Sequence, residues 1–251
     1  MEQRRAGVLL HITSLPKGDF GEDAFRFVDF LAQTGVTVWQ TLPLNMPHGD
    51  GSPYQCLSAH AGNPALISLA SLQTHGWLAE EDLNSLLSRD ALIKKAFDNF
   101  KQLSHAKEHA SFATFCQTQS HWLDDFALFM VLRNQYQQAC WHDWPNPQKL
   151  RETEAIEQIK IDSTDEINLI KFTQYLFFDQ WHQLKAYANS KNIALFGDIP
   201  IFVSYDSADV WAQPALFKLD ENLNMSVVAG VPPDYFSETG QRWEIRIIVG
   251  M

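Results

Sequence analysis

Along the first forty residues the apolar positions change period twice. Gly7 to Ile12 (GVLLHI) is a short apolar run ahead of the turn cluster TSLPKGDFG, and its length predicts a buried strand. From Glu22 to Gln33 the apolar residues Ala24, Phe27, Val28 and Leu31 recur at helical spacing. Acids lie in the first turn and Gly35 waits beyond the last, so a helix is expected. Thr37 to Leu42 (TVWQTL) is β-branched and aromatic, halts at Pro43 and predicts a second strand. Strand, helix and strand in so short a stretch make a βαβ unit and hence a parallel sheet.

The rhythm then breaks in PLNMPHGDGSPYQCLSAHAGNP, from Pro43 to Pro64, a loop rich in Gly, Pro, Ser and Asn that also holds Tyr54. Loops of this length in compact domains are usually functional. Helical patterning dominates from about Leu72 to Lys160, as in SHWLDDFALFMVLRNQY (Ser120 to Tyr136), and predicts an inserted helical subdomain. Ser163 and Glu166 form a capping-box pattern for a helix reaching about Asn189. Its expected apolar stripe is Ile167, Ile170, Leu176, Phe177, Trp181 and Leu184. Ile193 to Ile199 follows as a third strand and carries Asp198 near its carboxyl end, where parallel strands hold ligands or catalytic groups.

Composition narrows the function classes. The chain has 251 residues, 45% of them hydrophobic, and a formal net charge of -11. That acidity, with no dense Lys/Arg cluster, argues against nucleic acid and anionic membrane as partners. No run approaches the roughly 18 apolar residues of a membrane span. Cys56, Cys116 and Cys140 are odd in number and lack CxxC spacing, which favours a reducing compartment, and a cytoplasmic location is expected.

Several groups offer chemistry. The run HAKEH, His105 to His109, matches the pattern H-x-x-E-H, in which two His bind zinc and Glu108 would act as base. Three fixed positions arise easily by chance in a polar helix, so a solvated face is the plainer reading. Cys140 and His142 read as structural. Asp198, Asp206, Asp209, Asp234 and Glu238 supply carboxylates at or after the third strand, and glycosyl chemistry needs a pair of these at a separation that only a structure supplies. Eight Trp and six Tyr suit stacking on sugar faces, although an aromatic in a helical stripe is more often core.

The loops are more specific. LLHITSLP (Leu9 to Pro16), GDGSPYQ (Gly49 to Gln55), SAHAGNP (Ser58 to Pro64), ALFMVL (Ala127 to Leu132), LFFDQW (Leu176 to Trp181), GDIPIFV (Gly197 to Val203), DSADVW (Asp206 to Trp211) and VAGVPPDYFSETGQRW (Val228 to Trp243) together resemble the bacterial 4-α-glucanotransferases, or amylomaltases, of glycoside hydrolase family 77. The resemblance implies an α/β fold: the N-terminal part of a (β/α)8 TIM barrel with an inserted helical subdomain, the barrel incomplete. It implies transfer of α-1,4-glucan segments to glucose or glucan acceptors by a retaining double displacement, with no cofactor. Ser52 and Tyr54 would line donor subsites and Asp198 would bind sugar hydroxyls. Asp234, Tyr235 and Phe236 would arch over the cleft. The corresponding division is 1–43 for strands 1 and 2 with their helix, 44–71 for the substrate loop, 72–162 for the helical subdomain, and 163–243 for the barrel helix, strand 3 and active-site loop.

A departure accompanies the match. The family's nucleophilic Asp, acid/base Glu and stabilising Asp belong to motifs resembling RIDHFRG, AEDLG and THD, and none of these strings occurs here. No catalytic residue is therefore assigned, and the 251-residue chain is expected to be inactive alone; a non-catalytic glucan-binding fragment is the alternative, a zinc hydrolase using HAKEH the weaker one. After Trp243 the family typically continues GNPHYRWD, whereas this chain reads EIRIIVGM. Deleting one G from TGG GGA AAT CCG CAT TAT CGT TGG GAT G, which encodes WGNPHYRWD, yields codons for WEIRIIVGM. A single-base frameshift is thus expected to account for 244–251 as an out-of-frame tail.

Overall fold

The computed structural model describes residues 4–227, 230–233, 235, 237–242 and 245–246. Its helices are α1 Glu22–Gln33, α2 Leu69–Thr74, α3 Glu80–Leu83, α4 Arg89–Leu103, α5 Ala106–Thr118, α6 Ser120–Gln135, α7 Asn146–Lys149, α8 Thr153–Asp162, α9 Thr164–Ser190 and α10 Ala208–Ala212. The strands are β1 Gly7–Leu9, β2 Val38–Gln40, β3 Ala194–Phe196, β4 Val203–Ser204, β5 Gly230–Val231, β6 Gln241–Arg242 and β7 Ile245–Arg246. Two compact units result. The first comprises Met1–Leu44, Gly62–Ser120 and Leu169–Asp198, the second Asn45–Ala61, His121–Asn168 and Ile199–Met251. The helix-rich stretch is thus shared between them.

In the first unit β1, β2 and β3 form a parallel sheet with β2 in the middle, and Val8, Trp39 and Leu195 lie in one row across it. Pleating sends that row to one face, where Trp39 is fully buried and Val8 and Leu195 pack on the core. The next row, Leu9, Gln40 and Phe196, points the other way. Leu9 is 56% and Phe196 59% exposed, so this face is open, and among the described residues neither β1 nor β3 has a second neighbour. The fold is α/β with an incomplete parallel sheet. Each strand is shorter than the sequence pattern predicts.

Helix α1 keeps the bounds its periodicity predicts, and Ala24, Val28 and Leu31 are fully buried. It ends in a Schellman motif: the Val36 N–H reaches the Leu31 carbonyl and the Gly35 N–H the Ala32 carbonyl, with Gly35 at φ 74°. Such a φ disfavours any side chain. The core continues through α4 and α9, where Phe172 meets Phe97 and Phe100 at ring-centroid distances of 5.3 and 4.8 Å. A buried ring of this kind contributes about 2–3 kcal/mol relative to exposure. Ser163 does not cap α9 by the expected side-chain bond. It closes α8, its N–H bonded to the Ile159 carbonyl, and its own carbonyl accepts the Ile167 N–H.

Also in the first unit, segment 62–68 lies against α9. Gln174 accepts the Gly62 N–H at 2.8 Å and donates to the Gly62 carbonyl at 3.0 Å. Gln180 repeats the pattern on Ser68, at 2.7 and 3.1 Å. Each amide thus satisfies both backbone groups of one residue in the segment. The approach is so close that a Cβ on Gly62 would sit 2.2 Å from the Phe177 ring.

In the second unit β4 pairs antiparallel with β7, Val203 opposite Arg246, and β5 pairs with β6. Trp141 and Trp211 are buried and satisfy their indole N–H groups on the carbonyls of Tyr205 and Gln148. Of the expected tail 244–251, only 245–246 lie among the described residues. No described helix is long and apolar enough to cross a membrane.

Candidate functional site

At the carboxyl ends of the sheet the first unit presents His11, Thr41 and Asp198. The Leu10 N–H bonds the Gln40 carbonyl at 3.0 Å and the Thr41 N–H bonds that of Phe196, also at 3.0 Å, so pairing persists one residue past β1 and β2. The Trp39 indole N–H donates to the Leu10 carbonyl at 2.8 Å and fixes the turn that carries His11. His11 Nδ1 is buried without a hydrogen-bond partner, and burial holds the ring below its ordinary pKa. Asp198 stands two residues beyond β3, in the loop and half-buried, rather than within the strand.

In the second unit, segment 45–61 is a hairpin without regular strands. Its rails are joined by Met46 N–H to the Ala61 carbonyl at 3.1 Å, Leu57 N–H to the Met46 carbonyl at 2.9 Å and His48 N–H to the Gln55 carbonyl at 3.0 Å. The tip is two consecutive turns. Gly51 N–H reaches the His48 carbonyl and Gln55 N–H the Ser52 carbonyl, while Asp50 accepts the Ser52 N–H at 3.1 Å. Gly51 takes φ 73°, which a Cβ would strain. Ser52 and Tyr54 therefore share one tip, and Tyr54 is 45% exposed.

Two of the carboxylates read in the sequence as candidates for glycosyl chemistry, Asp206 and Asp209, hold backbone and side chains of the second unit. Asp206 pairs with Arg133 and accepts the Trp141 N–H at 3.3 Å. Asp209 accepts the Ala59 N–H at 2.9 Å and lies 4.0 Å from His60. Ser207, between them, caps α10 by accepting the Val210 N–H. Cys140 has its thiol pushed up to about 12 by burial and by the neighbouring Asp206, which leaves it unreactive. Reading the sequence missed the Gln174 and Gln180 clamps. Gln180 sits in the i, i+4 row of Phe172, Leu176, Leu184 and Ala188, all buried, and a polar residue inside such a row was the available signal.

Tyr235 is 97% exposed, whereas Asp234 and Phe236 lie outside the described residues. Among the described Trp residues Trp39, Trp77, Trp122, Trp141, Trp144 and Trp211 are buried, so these serve packing rather than stacking on a ligand. In HAKEH, His105 precedes α5 in an extended conformation and its N–H is capped by the Glu108 carboxylate at 2.7 Å, while His109 packs on Phe100. Glu108 is thus a helix cap, and no group of three or more His, Cys, Asp or Glu among the described residues is placed to hold a metal ion.

Residues 10–248 match the profile of glycoside hydrolase family 77, 4-alpha-glucanotransferase. The chain belongs to the 4-alpha-glucanotransferase family. It is 46% identical to the 4-alpha-glucanotransferase of Thermus thermophilus and 43% to that of Synechocystis, in each case over 97% of this chain and 52% of the relative. The amylomaltase from Streptococcus agalactiae, solved in complex with acarbose, superposes with a TM-score of 0.92 at 36% identity, over 98% of this chain and 53% of that one. Amylomaltase from Corynebacterium glutamicum shares the fold at a TM-score of 0.71 and 18% identity. The chain thus spans about half the length of the 4-alpha-glucanotransferases it matches.

Proposed function

We propose that this chain supplies the donor-binding side of a 4-α-glucanotransferase, with Ser52 and Tyr54 on the hairpin tip and Asp198 past β3 as its contacts to an α-1,4-glucan, joined by Asp234, Tyr235 and Phe236. The observation that carries the reading is the built tip, with two turns, a left-handed Gly51 and an exposed Tyr54, in a chain whose neighbour of known structure holds acarbose. In the whole protein the reaction is a retaining double displacement that passes a glucan segment to glucose or another glucan, without a cofactor. It takes place in the cytoplasm. The 251 residues contain no counterpart of the three carboxylate motifs, so the chain alone binds without transferring.

Incubation with maltotriose tests this: no glucose above a blank is expected, and sustained release overturns the inactivity. Calorimetric titration with acarbose or maltoheptaose tests the binding, expected as measurable heat that is lost in Tyr54→Ala. Sequencing the DNA at the Trp243 codon tests the shifted frame proposed for 244–251; an intact family frame there removes it.

A further inference from the structure

The hairpin that carries Ser52 and Tyr54 has no regular strand to hold it, and its two rails meet two acids three positions apart. On one rail, the His48 ring interacts electrostatically with the Asp206 backbone and carboxylate. That carboxylate is itself held by Arg133, the Trp141 N–H and the Cys140 thiol. On the other rail, Asp209 accepts the Ala59 N–H and the Ala208 N–H bonds the Leu57 carbonyl at 2.9 Å. We propose that Asp206 and Asp209 are positioning residues for the Ser52–Tyr54 tip, and that His48 makes their hold on it weaken in acid.

The pH sense follows from what surrounds His48. Its Nε2 is buried without a hydrogen-bond partner. The charged groups facing the ring are Asp206 from the segment before α10, Arg133 from α6 and Asp50 from the hairpin itself. A proton on Nε2 would leave a buried N–H unsatisfied, and burial, with the Arg133 charge, outweighs the pull of the two carboxylates, so the ring stays below its ordinary pKa of 6.5. An opened hairpin, with His48 in water, takes up the proton that the closed one resists. The closed form is therefore at full strength above 6.5 and weakens as pH falls from there toward the lower value of the closed form. This deepens the glucan reading and rests on it, because the tip matters only if it meets substrate.

Hydrogen exchange on the 251-residue chain, corrected for intrinsic rates, separates the two. From pH 7.5 to 5.5, protection of the His48, Gln55 and Leu57 amides is expected to fall by up to about tenfold, with α9 as an unchanged internal reference. His48→Asn keeps a polar partner for the Asp206 backbone but cannot titrate, and should abolish the fall; Asp206→Asn and Asp209→Ala should expose the hairpin at both pH values while α9 stays protected. Equal protection at both pH values in the native chain, or an equal fall in His48→Asn, overturns the proposal. Acarbose titration at pH 7.5 that gives no heat overturns the glucan reading instead and leaves the exchange result standing.

Discussion

Two consecutive loops of this chain are fastened by different physics. Segment 62–68 is held by two buried, neutral glutamines and by Arg89, which reaches the carbonyls of Pro64 and Ile67. Segment 45–61 is held by Asp206 and Asp209, with a histidine on each rail. Neutral amides, and a guanidinium that never deprotonates, fix a backbone equally at every physiological pH. Carboxylate and imidazole contacts answer to protons and salt. The first loop is built to stay, and the second, which carries Ser52 and Tyr54, is built to be adjustable.

The contrast is broken most severely at Gly62. With a Cβ forced to 2.2 Å from the Phe177 ring, Gly62→Ala should destabilise by about 3 kcal/mol, the upper end for overpacking, in urea denaturation. Next comes Gln174→Leu, which strands the buried Gly62 N–H and carbonyl; a loss of about 2 kcal/mol is expected, equal at pH 5.5 and 7.5 because nothing in that clamp titrates. Asp209→Ala removes one charge-assisted hydrogen bond at a partly open site and should cost about 1 kcal/mol, visible mainly as faster exchange of the Ala59 amide. As a reference, Lys94→Ala removes an exposed pair with Asp98 and should shift stability by under about 0.5 kcal/mol. A pH-dependent deficit in Gln174→Leu would erase the distinction between the two loops.

Local patterning was legible wherever the decisive contacts are close in sequence. The bounds of α1, the position of β2 ahead of Pro43 and the cap at Gly35 follow from periodicity and turn chemistry alone. The motif GDGSPYQ put Ser52 and Tyr54 in one loop, and the turns at His48–Gly51 and Ser52–Gln55 that make it a tip came only with the fold. Asp206 and Asp209 show where such reading stops. As residues after a strand they look like catalytic acids, and only the fold brings Arg133 and Ala59 to them from far along the chain. A carboxylate's role is set by its partners, and distant partners leave no periodic trace. Gln174 and Gln180 are the converse: their polarity inside an apolar helix face signals a buried backbone to be satisfied, although not which one.

The strand order has a consequence for synthesis on the ribosome. β2 gains its first neighbour, β1, almost as soon as it emerges, but its second, β3, is encoded roughly 150 residues later. At about 5–20 residues per second, β2 waits about eight to thirty seconds with one edge unpaired. During that interval the buried face of Trp39 has α1 to pack on but not yet the whole of α9. The central strand of the sheet is thus among the last to be completed, and any slowing of translation between α4 and α9 lengthens the period in which it is open to a wrong partner.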